Sequence, residues 1–272
     1  MQSKTIATAA FLLCTAVAAP VMAQDFDRGV AAYNAGDYET ALQEWRPLAS
    51  QGHALAQTNL GVMYQDGRGV LQDDAEAVSW YRLAAEQRDA NAQYKLGVMY
   101  ENGRAGIQDY LVEAASWYRK AAEQGDANAQ NNLGVMYERG RGVPQHDAEA
   151  VSWYRLAAEQ GHIEAQWTLG LLYGVGDVVP ENAAEAAKWY RRASEQGLAE
   201  AQMSLGLSYV DAAGVPQDNV LGHMWLNLSG ANGIESGNSL RDWLAEEMTL
   251  EQIAEAKALA RRCLSSNYQD CG

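Results

Sequence analysis

Residues 127–162 read ANAQNNLGVMYERGRGVPQHDAEAVSWYRLAAEQGH, and a block of about 36 residues with this pattern occurs five times along the chain. Each copy carries Ala-Gln, then Leu-Gly, then Tyr, and a tryptophan follows sixteen or seventeen residues after that tyrosine. A fixed period of this length is typical of a solenoid, in which each unit buries its apolar face only against its neighbours. Such chains usually provide binding surfaces, so the repeat favours a binding protein over a catalyst.

The apolar residues of this block have the three-and-four spacing of two amphipathic helices. The spacing predicts one helix from Ala127 to Glu138 and a second from Asp147 to Gln160, with a Gly-rich turn between them. Gly161 follows the second helix at a position where glycine adopts a positive φ at little cost. No segment alternates with period two, so we expect an all-α protein.

Small and large residues recur in register along the units. A glycine lies inside the first helix of every unit, although glycine costs about 1 kcal/mol there relative to alanine. We therefore predict close approach between helices at Gly61, Gly97, Gly134, Gly170 and Gly206. The Trp-Tyr pairs of the second helices are predicted to fill the space between units, with core tryptophans at Trp80, Trp117, Trp153, Trp189 and Trp225.

The fold class expected is a right-handed α/α solenoid of helix-turn-helix repeats with helical caps at both ends. The boundaries predicted are 24–53 for an N-terminal capping hairpin, 54–89, 90–126, 127–162, 163–198 and 199–233 for five repeats, and 234–272 for a C-terminal cap. The N-terminal hairpin is expected to pair helices at 28–35 and 38–50. The C-terminal cap is expected to hold a helix at about 238–248 and a last helix that opens with a capping box at Thr249 and runs to about Cys263.

The first 23 residues have the pattern of a secretory signal peptide. Lys4 precedes an apolar run from Ile6 to Ala19, and a small-x-small site predicts cleavage after Ala23. An uncleaved membrane anchor is the alternative, which the short apolar run and Pro20 disfavour. We therefore expect a periplasmic or secreted protein that does not insert into a membrane after cleavage.

The net charge of the chain limits the kinds of partner that it can bind. The full chain has a net charge of −15, and a polyanion is repelled by nucleic acid and by anionic lipid. A protein or peptide partner is expected, and a cationic one suits this charge.

Cys263 and Cys271 are the cysteines that remain after cleavage, and a local disulfide is predicted between them, with two unlinked thiols as the alternative.

The repeat resembles a known family. The pattern Ala-x-Ala-Gln-x-x-Leu-Gly-x-x-Tyr-x-x-Gly-x-Gly-Val, followed by Ala-x-x-Trp-Tyr-Arg-x-Ala-Ala-x-Gln-Gly, is similar to the Sel-one-like repeat, an α/α solenoid related to tetratricopeptide repeats. Residues 24–53 resemble a tetratricopeptide-type hairpin. The resemblance implies a protein–protein adaptor of a kind often exported in bacteria, such as a periplasmic regulator of a membrane signalling protein or a host-contact protein. Two units depart from the pattern: Arg88 replaces the usual glycine, and Tyr-Arg is missing after Trp225. The local packing at these two points is therefore expected to differ from that of the other units.

No pattern for catalysis or metal binding is found in the sequence. His53 and His162 occupy equivalent positions that favour a helix N-cap or a linker, and no H-E-x-x-H motif is present. Some cysteine-rich members of the family are described as β-lactamases or penicillin-binding proteins, but no lysine here follows a serine in Ser-x-x-Lys spacing. We therefore expect a non-enzymatic protein with no catalytic residue, metal or cofactor. A β-lactam or cell-wall hydrolase is the alternative.

Some positions on the first helix of each unit vary while their neighbours stay fixed. Since packing does not dictate such positions, we predict that they line a concave partner-binding surface, with ordinary solvated surface as the alternative. The candidate residues are Asn91, Tyr94, Lys95, Asn128, Asn131, Asn132, Glu164, Trp167 and Thr168. Tyr94 and Trp167 are the main candidates, because large aromatic side chains often anchor a partner.

Overall fold

The computed structural model describes residues 25–104 and 110–271 of the 272-residue chain. The expected signal peptide and residues 105–109 of the second-unit turn lie outside the described residues. Within the described ranges every regular element is an α-helix. The fourteen helices of these ranges are α1 (Phe26–Asn34), α2 (Tyr38–Ser50), α3 (Ala54–Asp66), α4 (Asp74–Glu86), α5 (Ala90–Glu101), α6 (Tyr110–Glu123), α7 (Ala127–Arg139), α8 (Asp147–Glu159), α9 (Ile163–Val175), α10 (Ala183–Ser194), α11 (Ala199–Val210), α12 (Asn219–Ala231), α13 (Glu235–Ala245) and α14 (Leu250–Ser265).

Each helix from α1 to α12 packs against the next along the chain, and α14 packs against α12. We call α3, α5, α7, α9 and α11 the A helices and α4, α6, α8, α10 and α12 the B helices. This succession of helix pairs confirms the predicted all-α solenoid.

The two helices of each unit meet where an A-helix glycine lies against a B-helix side chain. A Cβ atom on Gly97 would lie 2.5 Å from the ring of Tyr118, so only a glycine fits against this ring. Gly61, Gly134 and Gly170 lie against Tyr81, Tyr154 and Tyr190 in the same way. The close approach predicted from the glycines is therefore confirmed, and it explains why a residue unfavourable in helices occupies this position.

Buried glutamine side chains join each unit to its predecessor. The Gln93 amide on α5 donates to the backbone oxygen of Ala85 on α4 (3.0 Å) and accepts from Gln124 at the end of α6 (2.7 Å). Gln57, Gln130, Gln166 and Gln202 make the same pair of hydrogen bonds in the other units, with Asn232 as the last donor. Because these amides are almost fully buried, losing a partner would leave a polar group unsatisfied.

A second link joins the B helix of one unit to the A helix of the next. Arg82 donates to the hydroxyl of Tyr100 (2.7 Å), and Arg155 donates to that of Tyr173 (2.5 Å). The pairs Arg119–Tyr137 and Arg191–Tyr209 are hydrogen-bonded in the same way. The link therefore repeats four times between the five units.

The tryptophans are less buried than the sequence predicts. Trp189 and Trp225 are core residues as expected, but Trp80, Trp117 and Trp153 are only half-buried. The following tyrosines, Tyr81, Tyr118 and Tyr154, are the fully buried residues, because they point at the A-helix glycine of their own unit. The expectation of five equivalent core tryptophans is therefore wrong for three of them.

The ends of the chain differ slightly from the predicted helices. Asp25 caps α1, which begins at Phe26 instead of Arg28. Helix α13 begins at Glu235 instead of about Asn238, because Gly237 does not break the helix. Gly237 packs within 2.9 Å of the backbone at Gly230, as measured from an added Cβ, so this glycine serves the contact of α13 with α12. The predicted capping box at Thr249 is confirmed and opens α14.

The two departures from the repeat have different structural outcomes. Arg88 keeps the backbone conformation of the glycine that it replaces, with φ +69°, a strained value for a residue with a side chain. In the fifth unit Leu226 takes the place of the tyrosine and lies against Gly206. The first departure stores strain at one boundary, whereas the second only replaces one apolar contact by another.

Replacing Gly97 with alanine is expected to destabilise the protein. The extra methyl group would overlap the ring of Tyr118, and overpacking of this kind costs about 1–3 kcal/mol, which exceeds the roughly 1 kcal/mol gained in helix propensity. Thermal unfolding would measure this loss. The control is Gly174→Ala on α9, where the added Cβ would lie 3.2 Å from the Tyr190 hydroxyl and 3.7 Å from Ala186. An equal loss in both variants would contradict the proposed role of the Gly97 contact.

The C-terminal cysteines are expected to form a disulfide. Cys263 is fully buried on α14, and its Cα atom lies 4.4 Å from that of Cys271, within the range of a disulfide. Closing so short a ring contributes roughly 2–3 kcal/mol by loop entropy, confined to the tail that holds Tyr268 against Asn232. Peptide mapping without reductant tests the bond, and two alkylatable thiols in the native protein would refute it.

The C-terminal cap is expected to lose stability in acid. His223 on α12 is buried, and its Nδ1 atom has no hydrogen-bond partner among the described residues. Burial, then Arg241 on α13 and Lys257 on α14, lower its pKa below 6.5, against a smaller opposing effect of Asp242. The unfolded chain binds a proton at His223 more readily than the folded chain does. The contribution of the neutral His223 to the free energy of unfolding is therefore complete above pH 6.5, and it is lost as the pH falls towards the lowered pKa.

The variant His223→Val, which carries the residue found at the equivalent Val151, isolates this effect. Melting temperatures at about pH 7.5 and about pH 5.5 are expected to differ more for the native protein than for the variant. An equal acid shift in both proteins would show that His223 does not cause the loss.

Candidate functional site

The A helices follow one another along the stack, each separated from the next by a B helix that contacts both. Helices α5 and α7 also contact each other directly. We call the outward residues of α3, α5, α7, α9 and α11 the A-helix face. All nine predicted partner-binding residues lie on helices α5, α7 and α9 of this surface, so the structure places them on three neighbouring units.

The predicted residues differ in exposure. The side chains at the first slot of each helix, Asn91, Asn128 and Glu164, are exposed. The others are half-buried, namely Tyr94, Lys95, Asn131, Asn132, Trp167 and Thr168. The exposed residues can reach a partner freely, whereas the half-buried ones offer one side to it and pack with the other.

Tyr94 illustrates this double role. Its ring packs against that of Tyr118, with 6.0 Å between centroids. Burial raises the pKa of the Tyr94 hydroxyl, and the negative charges of Asp126 and Glu101 raise it further. The hydroxyl therefore stays protonated at neutral pH, and it can donate a hydrogen bond to an acceptor on a partner.

Trp167 is the second large aromatic side chain of the A-helix face. It packs at the border of the apolar cluster that contains Leu205 and Trp225. Its indole Nε1 is buried and has no acceptor among the described residues. The remaining part of the ring is accessible, so Trp167 offers an apolar contact more than a hydrogen bond.

The A helices also carry a recurring apolar residue that the predicted set of partner-binding residues does not include. An aliphatic residue follows the A-helix glycine directly in every unit and is half-buried. We call this set the aliphatic stripe, and it consists of Val62, Val98, Val135, Leu171 and Leu207. The sequence shows the recurrence of these residues, but the helical pattern alone assigns them to the core.

The aliphatic stripe ends at a pocket beside the N-terminal hairpin. Val62 belongs both to the stripe and to this pocket of about 350 Å³. The other lining residues are mostly apolar or aromatic and comprise Phe26, Val30, Tyr33, Asn34, Trp45 and Asn59. The pocket could hold one large apolar side chain at the end of a bound segment.

Several acidic side chains lie on the A helices. Glu164 on α9 is 68% exposed, and Glu200 occupies the same slot on α11. Glu101 is paired with Arg141 (3.2 Å), and Glu138 accepts from the hydroxyl of Tyr154 (2.7 Å). No Arg or Lys of the described residues pairs with Glu164 or Glu200, so the α9 and α11 end would favour a cationic partner.

His53, His146 and His162 cap the N-terminal ends of helices. The Nδ1 atoms of His53 and His162 accept from the backbone nitrogens of Ala56 (3.2 Å) and Ala165 (3.3 Å), which confirms the predicted N-caps. His146 caps α8 in the same way. Within residues 25–104 and 110–271, no group of three or more His, Cys, Asp or Glu side chains is arranged to hold a metal ion.

Comparison with known proteins identifies the family. The sequence profile of the Sel1 repeat matches residues 54–89, 90–126, 127–162, 163–198 and 199–234, which together exceed half of the chain. The chain belongs to the Sel1 repeat family. The matched segments coincide with the A and B helices of the five units.

Solved Sel1 repeat proteins share the architecture. A Sel1 repeat protein from Oxalobacter formigenes is 38% identical, with a TM-score of 0.71, over 77% of this chain and 86% of that protein. The protein c5321, a protective antigen present in uropathogenic Escherichia coli strains, displays an SLR fold and is 30% identical, with a TM-score of 0.56. That similarity covers 90% of this chain and 61% of c5321.

One curated relative has a regulatory description. An exopolysaccharide production negative regulator from Rhizobium leguminosarum bv. viciae is 43% identical over 56 residues. The match spans 21% of this chain and 21% of the regulator, so its length is about one and a half Sel1 units. None of the helices in the described ranges of this Sel1 repeat protein is long and apolar enough to cross a membrane.

Alanine at Tyr94 or Trp167 is expected to weaken partner binding by at least about 1–2 kcal/mol, because each presents an aromatic surface on the A-helix face. Each variant should remain folded, since both side chains are only half-buried. Tyr154→Ala is the contrast, because the fully buried ring lies against Gly134 and its loss should cost roughly 3–5 kcal/mol of stability. Melting temperature and affinity are measured on all three Sel1 repeat variants. Unfolding of the first two as severe as that of the third would show that they serve the core.

Proposed function

A Sel1 repeat scaffold is suited to protein–protein interaction, and we propose that this chain is an exported, non-enzymatic adaptor that binds its partner on the A-helix face. The observation that carries the proposal is the aliphatic stripe, bordered by variable polar and aromatic residues and ending at an apolar pocket. The hydrogen bonds of the buried glutamines and those between arginine and tyrosine hold the units together. The outward residues of the A-helix face take no part in these bonds.

The partner is a protein segment with apolar and basic side chains. Apolar side chains fit the stripe and the pocket, and basic ones suit the exposed Glu164 and the net charge of −15. The asparagines Asn91, Asn128 and Asn131 carry amides that both donate and accept hydrogen bonds, which suits the backbone of an extended segment.

The biological role that we favour is periplasmic regulation of a membrane signalling protein. The signal-peptide pattern of residues 1–23 supports export, and the Rhizobium leguminosarum regulator shows that a related Sel1 segment occurs in a regulatory protein. Contact with a host protein is the second candidate, which the similarity to the protective antigen c5321 favours.

Export is tested by the mass of the protein isolated from cells. The mature chain is expected to begin at Gln24, and a membrane-retained species that still contains Met1 would contradict this.

The same preparation is expected not to hydrolyse a chromogenic cephalosporin. Turnover that scales with the protein through repurification would overturn the non-enzymatic assignment.

The binding face is tested by site-specific photocrosslinking in living cells. A photoreactive residue replaces exposed Asn128 on α7, and the matched control replaces exposed Glu159 on α8 of the same unit. We expect a partner adduct from position 128 and none from position 159. Adducts from position 159 alone, or equally from both, would show that the partner does not bind the A-helix face.

A further inference from the structure

A groove at the boundary of the first and second units differs from its counterparts in the solenoid. It has a volume of about 450 Å³, within the range of small-molecule sites. Residues of α4, α5 and α6 line it, and it shares none of them with the A-helix face. The lining residues that a ligand would meet include Glu86, Arg88, Trp117, Lys120, Glu123 and Gln124.

Two positions of the repeat carry a positive charge together only at this boundary. The slot of Arg88 is a glycine at the other boundaries, namely Gly52, Gly125, Gly161 and Gly197. The slot of Lys120 is Leu83, Leu156, Arg192 or Leu228 in the other units. The glutamates and glutamines of the groove belong to the repeat pattern, so the two cations are what distinguishes this groove.

The cation at position 88 is held at a structural cost. Arg88 has φ +69°, the left-handed conformation that the other units satisfy with glycine. Strain of this kind is found preferentially at binding sites, where the surrounding structure maintains it. Neither Arg88 nor Lys120 forms an ion pair with a carboxylate of the described residues, so both charges are available to a ligand.

We propose that this groove binds a small hydroxylated monocarboxylate, a sugar acid. The planar guanidinium of Arg88 suits a carboxylate, and Lys120, whose ammonium lies 3.7 Å from the Trp117 ring centroid, adds a second cation. The carboxylates of Glu86 and Glu123 accept hydrogen bonds from hydroxyl groups, but they repel a dianion. The Gln124 amide already donates one hydrogen bond to Gln93. Its second amide hydrogen can be donated to a hydroxyl group of the sugar acid.

A macromolecular polyanion does not fit this site. The chain carries a net charge of −15, so a long acidic polymer would be repelled over most of the surface. A single carboxylate enters a groove in which two cations balance two glutamates. The chemistry therefore selects a small ligand with one negative charge and several hydroxyl groups.

Calorimetric titration of the purified protein with D-glucuronate at low salt tests the proposal. D-Glucose provides the same ring without the charge, and inorganic phosphate provides a charge without the ring. We expect glucuronate to bind, and glucose and phosphate to bind at least about tenfold more weakly. Absence of glucuronate binding up to about 10 mM, or equal affinity for either comparison ligand, would overturn the assignment.

Substitutions that restore the repeat provide the second arm. Arg88→Gly and Lys120→Leu are each expected to weaken glucuronate binding at least about tenfold, whereas Arg192→Leu at the boundary of the third and fourth units should not change it. Arg88→Gly should also raise the melting temperature, because glycine relieves the strained backbone, so a loss of binding there cannot come from unfolding. Unchanged affinity in Arg88→Gly and Lys120→Leu would place the sugar acid elsewhere.

Discussion

The stacking of this Sel1 solenoid depends on one contact, that of an A-helix glycine with the tyrosine ring of its own unit. Without a Cβ atom, Gly97 and its equivalents let the ring lie directly on the helix backbone, and this fixes the distance between the two helices. The buried glutamine and the Arg–Tyr hydrogen bond then connect each pair to the next one. Each unit therefore has one apolar contact that fixes the distance between its own two helices and two polar links that connect it to the neighbouring units.

This arrangement explains which residues vary. The glycine, the tyrosine and the glutamine are committed to packing, so they recur with few exceptions. The outward slots of the A helices make few such contacts, so the slot of Asn91 holds leucine on α3 (Leu55) and glutamate on α9 (Glu164) without a change of fold. A solenoid built in this way keeps its stability in the repeated positions and leaves recognition to the variable ones.

Sequence reasoning located most helices because their ends have local causes. Asp126 caps α7 and Gly161 follows α8, and both are visible in the pattern. The predicted start of α13 at about Asn238 is three residues late, because the contact of Gly237 with α12 lies outside its own segment. The half-buried state of Trp153 and the exposed half of the aliphatic stripe also depend on neighbouring units, so periodicity identifies these residues as apolar but not how far they are buried.

Strain at Arg88 is tolerable because the stability of a solenoid is divided among its boundaries. The cost falls on one interface, while the other units keep their own contacts. The same backbone also leads directly to two A helices. Arg88 precedes Asp89, and one carboxylate oxygen of Asp89 accepts from the Ala92 nitrogen (2.7 Å) and from the hydroxyl of Thr58 (3.1 Å). A change in the backbone at Arg88 therefore acts on the cap of α5 and on the buried Thr58 of α3, so a single residue connects the groove to both A helices.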